Sequence, residues 1–175
     1  MIFKIKNLVD VSILKSIYYS LFHSHASYGL AAWGSSRQCL EYVFLTQKRA
    51  IRAMAGLGFN DPTSLAFKNL RILKVFDMLK VQYASFMWDF DHGSLPNAFN
   101  GFFTKISDIH SYNTRSSSSN NLAKTMSVNT VHGRKLFKII GVDIFNEINQ
   151  LPFYQSSRSR PVFLKKYKKF LIDQY

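Results

Sequence analysis

Two groups of cations stand out for what they can do to a phosphate chain. Lys48, Arg49 and Arg52 lie within about one helical turn of one another, and Lys165, Lys166, Lys168 and Lys169 nearly encircle a basic segment close to the end of the sequence. Lysine and arginine neutralise phosphates and release condensed counterions, so binding through them is salt-dependent and carries little sequence information. A single basic run is by itself usually a solvated face. The stronger argument is the whole-chain balance: 23 Lys and Arg against 10 Asp and Glu leave a formal charge of +13 and a pI near 9.9. A field of that sign makes polyanions the natural partners. Aromatic residues make up 15% of the chain, and Trp33, Tyr28 and Tyr112 either stack on bases or belong to a core.

Other chemistry is thinner. Asp89-x-Asp91-His92 is the one tight carboxylate cluster and has the composition of a cation site, but acidic residues in a turn more often cap or are solvated. His23-x-His25 has a two-residue spacing, which sends the rings to different faces of a helix and does not make the i, i+4 zinc pair. The lone Cys39 excludes a disulfide framework and a multi-thiolate zinc site, and its place beside Leu40 predicts a half-buried inert thiol. No catalytic residue, metal or cofactor is expected from these patterns, and no small-molecule substrate.

The elements that must position the cations are helical. Between Val11 and Tyr28 the residues Leu14, Ile17, Tyr18, Leu21, His25 and Tyr28 recur at three-and-four spacing, behind Asp10 as N-cap. A second helix is predicted from about Ser36 to Ala55, with Leu40, Val43, Phe44, Gln47, Ala50, Ile51 and Met54 on one face and Gly56-Leu57-Gly58 as its stop. Asp61-Pro62 has the form of an N-cap and first-turn pair opening a short helix to Leu70, and a longer helix follows from about Lys74 to Phe90 with Val75, Leu79, Tyr83 and Phe86 aligned. After the turn Asp91 to Pro96, the run Ser111 to Asn121 is too polar to bury and reads as a mobile loop. Leu122 to Val131 and Lys135 to Ile140 are candidate strands or hairpin arms, Gly141 to Ile148 a short helix, and the residues after Pro161 a basic helix with Phe163, Tyr167, Phe170 and Leu171 as its apolar side.

The expectation is therefore a mainly α protein: a helical domain over 1–90, a polar linker over 91–121, and a small, irregular α+β extension over 122–175 that ends in the basic helix. With 175 residues, 47% of them hydrophobic, there is enough to build a core. No run approaches the ~18 uninterrupted apolar residues of a membrane span. The first residues lack the apolar stretch of a signal peptide, so an intracellular chain with no membrane partner is expected.

Four islands, in order, carry a resemblance. They are Leu14 to His25 running into Ser27-Tyr28-Gly29-Leu30 and Trp33-Gly34; Leu45-Thr46-Gln47-Lys48-Arg49-Ala50-Ile51-Arg52; His110-Ser111-Tyr112-Asn113-Thr114-Arg115; and Gly141, Phe145-Asn146 and Leu151-Pro152, trailed by the basic helix. Together they resemble the region downstream of the polymerase palm in reverse transcriptases of LINE-type (non-LTR), jockey-like retrotransposons, with Phe145 where that family usually has Trp. The resemblance implies thumb-like helices and a C-terminal extension that hold template and primer. It makes His110 and Arg115 part of a motif in which imidazole, hydroxyl and guanidinium either contact phosphate or tie a structural knot. The paired carboxylates that hold two Mg²⁺ ions for phosphoryl transfer are missing, since no Asp-Asp pair occurs in the chain. What it implies is a truncated, non-polymerising piece of such an enzyme that binds RNA or DNA non-specifically. The alternatives are an inactive retroelement relict and a helical protein-interaction module with no nucleic-acid role.

Overall fold

Among the residues that the computed structural model describes (2–109, 120–124, 129–130 and 137–175), every regular element is a helix. The fold is mainly α, as the periodicity predicts. Contacts cluster in two compact units, Met1–Leu79 with Lys168–Tyr175, and Lys80–Tyr167. This grouping runs across the composition boundaries at 90 and 121, and the last helix contributes to both units.

The first unit holds α1 (Ile2–Ile5), α2 (Val11–Ile17), a π-helical turn (Tyr18–His23), α3 (Ser24–Ser27), α4 (Leu30–Trp33), α5 (Arg37–Ala55) and α6 (Ser64–Leu70). α2, the π turn and α3 follow one another without a break, so a helix over this stretch is correct, but its buried stripe is not the predicted one. Leu14, Tyr18, Ala26 and Leu30 are buried, while Leu21, His25 and Tyr28 face solvent. The π turn explains the shift: the Ser24 N–H reaches back five residues to the Tyr19 carbonyl, which widens the turn and makes the inward positions recur every four residues. Asp10 does precede α2, but its side chain makes no capping bond; only its carbonyl accepts, from the Ile13 and Leu14 N–H groups.

α5 matches its predicted boundaries and face. Ser36 caps it by accepting from the Cys39 N–H at 3.4 Å, and Gly56 ends it with φ at +67°, a left-handed conformation that glycine adopts without steric cost. Leu40, Gln47, Ile51 and Met54 are buried. Asp61 does not cap the next helix, which starts at Ser64 behind Thr63. Its carboxylate instead accepts from the Gly58 N–H at 2.7 Å and its carbonyl from Arg52 Nε at 3.0 Å, which closes the loop back onto α5.

One polar side chain joins three segments of this unit. Gln47 is fully buried; its amide nitrogen donates to Tyr18 Oη and to the Leu73 carbonyl, both at 2.8 Å, while its oxygen accepts from the Val75 N–H at 2.9 Å. A buried amide is tolerated only when so satisfied. Around it pack Leu14, Ile51, Met54, Phe67 and Ile72 in one cluster, and Leu30, Leu40, Val75 and Met78 in another. Tyr175 seals the rim, donating to Asp77 at 2.5 Å and accepting from the Lys74 N–H at 2.9 Å; burial, then that carboxylate, pushes its hydroxyl pKa well above the ordinary phenol range.

α7 (Val75–Asp91) begins in the first unit and continues into the second, which also holds α8 (Ile106–Ile109), α9 (Phe137–Asn149), α10 (Pro152–Gln155) and α11 (Arg160–Asp173) up to Tyr167. On α7 the buried residues are Val75, Met78, Val81, Tyr83, Ala84, Met87 and Trp88, so Val75 and Tyr83 are buried as predicted but Leu79 and Phe86 are only half-buried. Among the described residues there is no strand, and of the two candidate strand segments residues 125–128, 131 and 135–136 lie outside the described residues. Leu122 makes a single antiparallel bridge with Lys105, and residues 137–140, predicted extended, are the first turn of α9. Leu122 is held by a side chain instead of a strand: Asn146 Oδ1 accepts from its N–H at 2.8 Å and Nδ2 donates to its carbonyl at 3.0 Å, the pairing a neighbouring backbone would give. Asn146→Ala is expected to destabilise the chain by about 2 kcal/mol, because both groups of Leu122 lose their partner. A urea titration showing less than about 0.5 kcal/mol would mean that water replaces the amide freely.

Candidate nucleic-acid interface

α11 is two-faced. Phe163, Tyr167 and Leu171 are buried and Phe170 is half-buried, whereas Lys165, Lys166, Lys168 and Lys169 are all exposed. At 100° per residue the lysines span an arc of roughly 160° opposite the apolar side, so they form one cationic face and do not encircle the helix. None of the four makes an ion pair or hydrogen bond to any described residue. Two aromatic stackings, Phe163 on Trp88 at 4.8 Å and on Tyr167 at 5.7 Å between centroids, fix the buried face. The lysine face has its orientation set by that packing.

The acidic side chains are largely occupied. Glu41 pairs with Arg37 at 2.8 Å, Asp143 with Lys124 and Asp89 with Arg160 at 2.5 Å each. Asp91 accepts from the Tyr154 hydroxyl at 3.0 Å, and burial followed by the Asp91 charge raises the pKa of that phenol far above its usual value. The Asp89-x-Asp91-His92 cluster is thus spent on structure, neither solvated nor capping as expected. Its histidine stacks on Trp88 at 4.1 Å with Nδ1 on the Trp88 carbonyl. Among the described residues no three His, Cys, Asp or Glu side chains converge to hold a metal ion, and no helix is long and apolar enough to cross a membrane.

The second cationic group is less free. Lys48 is half-buried with Nζ 4.8 Å from the Phe44 ring centroid, and Arg52 is half-buried and tied to the Asp61 carbonyl. Arg49 is exposed, with no hydrogen-bonding or ionic partner among the described residues. His110, Tyr112 and Arg115 lie outside the described residues.

His23 is half-buried against Tyr19, 5.1 Å between centroids, and burial, then the nearby charge of Lys168, holds its pKa below the ordinary imidazole range. His25 is exposed, with Nδ1 2.6 Å from the Leu21 carbonyl. Cys39 is exposed, which corrects its predicted half-burial: Leu40 takes the inward position and turns its neighbour outward. Trp33 is half-buried and donates to the Tyr28 carbonyl at 3.0 Å, whereas the Tyr28 ring is 86% exposed. Sequence reasoning passed over Tyr42, which stands 74% exposed on the outer side of α5. Its signal was its position off the apolar face, seven residues before Arg49.

Compared with known proteins, the chain matches no family model, no curated protein and no solved structure.

Proposed function

We propose that this chain is a nucleic-acid-binding helical module of the kind that follows the palm in LINE-type reverse transcriptases, contacting RNA or DNA through phosphates and performing no polymerisation. The observation that carries this reading is the α11 face: four exposed lysines, unpaired among the described residues, on a helix whose opposite side is locked by aromatic packing, in a chain of charge +13. Two islands of the resemblance also meet: Tyr18 from the first is hydrogen-bonded to Gln47 from the second.

The test is fluorescence anisotropy of a labelled RNA–DNA hybrid titrated with the purified chain at several salt concentrations. A micromolar or tighter complex is expected, with log affinity falling linearly as log salt rises. Failure of a folded chain to bind at low salt would overturn the reading, and Mg²⁺-dependent primer extension would overturn the non-polymerising part of it. One feature favours a protein-interaction module instead: an open apolar groove of about 550 Å³ lined by Val11, Met54, Leu57, Leu65, Ala66 and Leu70. A protein partner captured there would bind with little dependence on salt.

A further inference from the structure

We infer that the outer face of α5 is a stacking subsite for single-stranded nucleic acid, with Tyr42 as the platform for a base and Arg49 as the phosphate contact. The inference rests on the nucleic-acid reading above and assigns that reading a substrate class and a residue. Tyr42 and Arg49 are seven residues apart, two helical turns, so they share one face about 10 Å apart along the axis. That is roughly three nucleotides at stacked spacing. Leu45 and Thr46, both exposed, lie between them.

The Tyr42 ring is 74% exposed and makes no contact with another ring or cation among the described residues, whereas Tyr18, Tyr83, Tyr154 and Tyr167 are buried. Its backbone is rigid: it lies inside a 19-residue helix, and its carbonyl accepts from Thr46 Oγ1 at 3.3 Å. The acid beside it, Glu41, is paired with Arg37, which leaves the Arg49 guanidinium as the charge on this face that is complementary to a phosphate. A ring on a helix face reaches a base only when the base is unstacked and turned outward, which a single strand allows and a duplex resists. This geometry therefore selects single strands.

The test uses the full chain and two labelled probes, an unstructured oligonucleotide and a duplex of equal length, followed by anisotropy in low salt. Tyr42→Ala is expected to weaken single-strand binding by about 5- to 160-fold, the range for losing one base–aromatic stack, and to leave duplex binding within about twofold. Tyr42→Phe, which keeps the ring, should retain the single-strand affinity, and Arg49→Gln should weaken it and lower the salt slope by about 0.7. An equal loss on both probes, or no loss on either, overturns the inference and leaves the phosphate-binding reading intact. If the wild-type chain binds neither probe, both fall.

Discussion

Replacing Gln47 with alanine is expected to destabilise the first unit by about 3–5 kcal/mol, enough to unfold a domain of ordinary marginal stability. The substitution leaves three buried groups without partners, Tyr18 Oη, the Leu73 carbonyl and the Val75 N–H, at about 1–3 kcal/mol each before relaxation. It also opens a cavity the size of the lost amide. The amide orientation is fixed by its surroundings: a flipped group would set oxygen against the Leu73 carbonyl and NH₂ against the Val75 N–H. Burial, more than any neighbouring charge, pushes the Tyr18 hydroxyl far above its usual pKa, so the phenol stays neutral and gains no compensation from ionising. Gln47→Met separates the two contributions, because methionine restores most of the volume and none of the hydrogen bonds. It should remain at least about 2 kcal/mol less stable than wild type in urea unfolding. A methionine variant within about 0.5 kcal/mol of wild type would show that packing alone holds these segments together.

Gln47 also marks how far the sequence reaches. Local periodicity places it on the inward face of α5, among Val43, Phe44, Ile51 and Met54, and a lone amide on such a face is already a sign of a buried polar junction. Its partners, 26 to 29 residues away, leave no trace in that periodicity. The same holds for Asp89 and Asp91, whose turn position suggests solvent and whose partners Arg160 and Tyr154 lie 71 and 63 residues further on. The π turn is illegible for another reason: a single wide turn depends on the Ser24 to Tyr19 bond, which no propensity signals, yet it displaces every later position of the stripe. Lys135 to Ile140 reads as extended because it is a short apolar run that ends on the β-branched pair Ile139 and Ile140, and residues 137–140 join α9 because Val142, Ile144, Phe145 and Ile148 bury the helix they open. The candidate interface divides in the same way. Its lysines are evident from composition, since charge needs no partner to be noticed, whereas the exposure of Tyr42 and the engagement of Lys48 and Arg52 arise only from tertiary packing.

Replacing Lys165, Lys166, Lys168 and Lys169 together with glutamine is expected to weaken nucleic-acid binding by at least about 100-fold at 50 mM salt. The log–log salt slope should become shallower by as much as about 2.8 on a single strand and about 3.6 on duplex DNA. Each phosphate contact contributes roughly 0.9 to that slope on duplex DNA and 0.7 on a single strand, so the change in slope counts how many of the four lysines touch phosphate. Because all four are exposed and unpaired among the described residues, the fold should lose little: surface changes of this kind cost at most about 0.5 kcal/mol each. The comparison that decides the matter is a charge-matched variant with Lys4, Lys6, Lys15 and Lys80 changed to glutamine, which lowers the net charge equally but leaves α11 intact. If binding follows the overall field alone, the two variants should lose affinity alike and keep similar slopes. A loss confined to the α11 variant requires the lysines to act as a face, and that face exists because Phe163, Tyr167 and Leu171 hold the other side of the helix in the core.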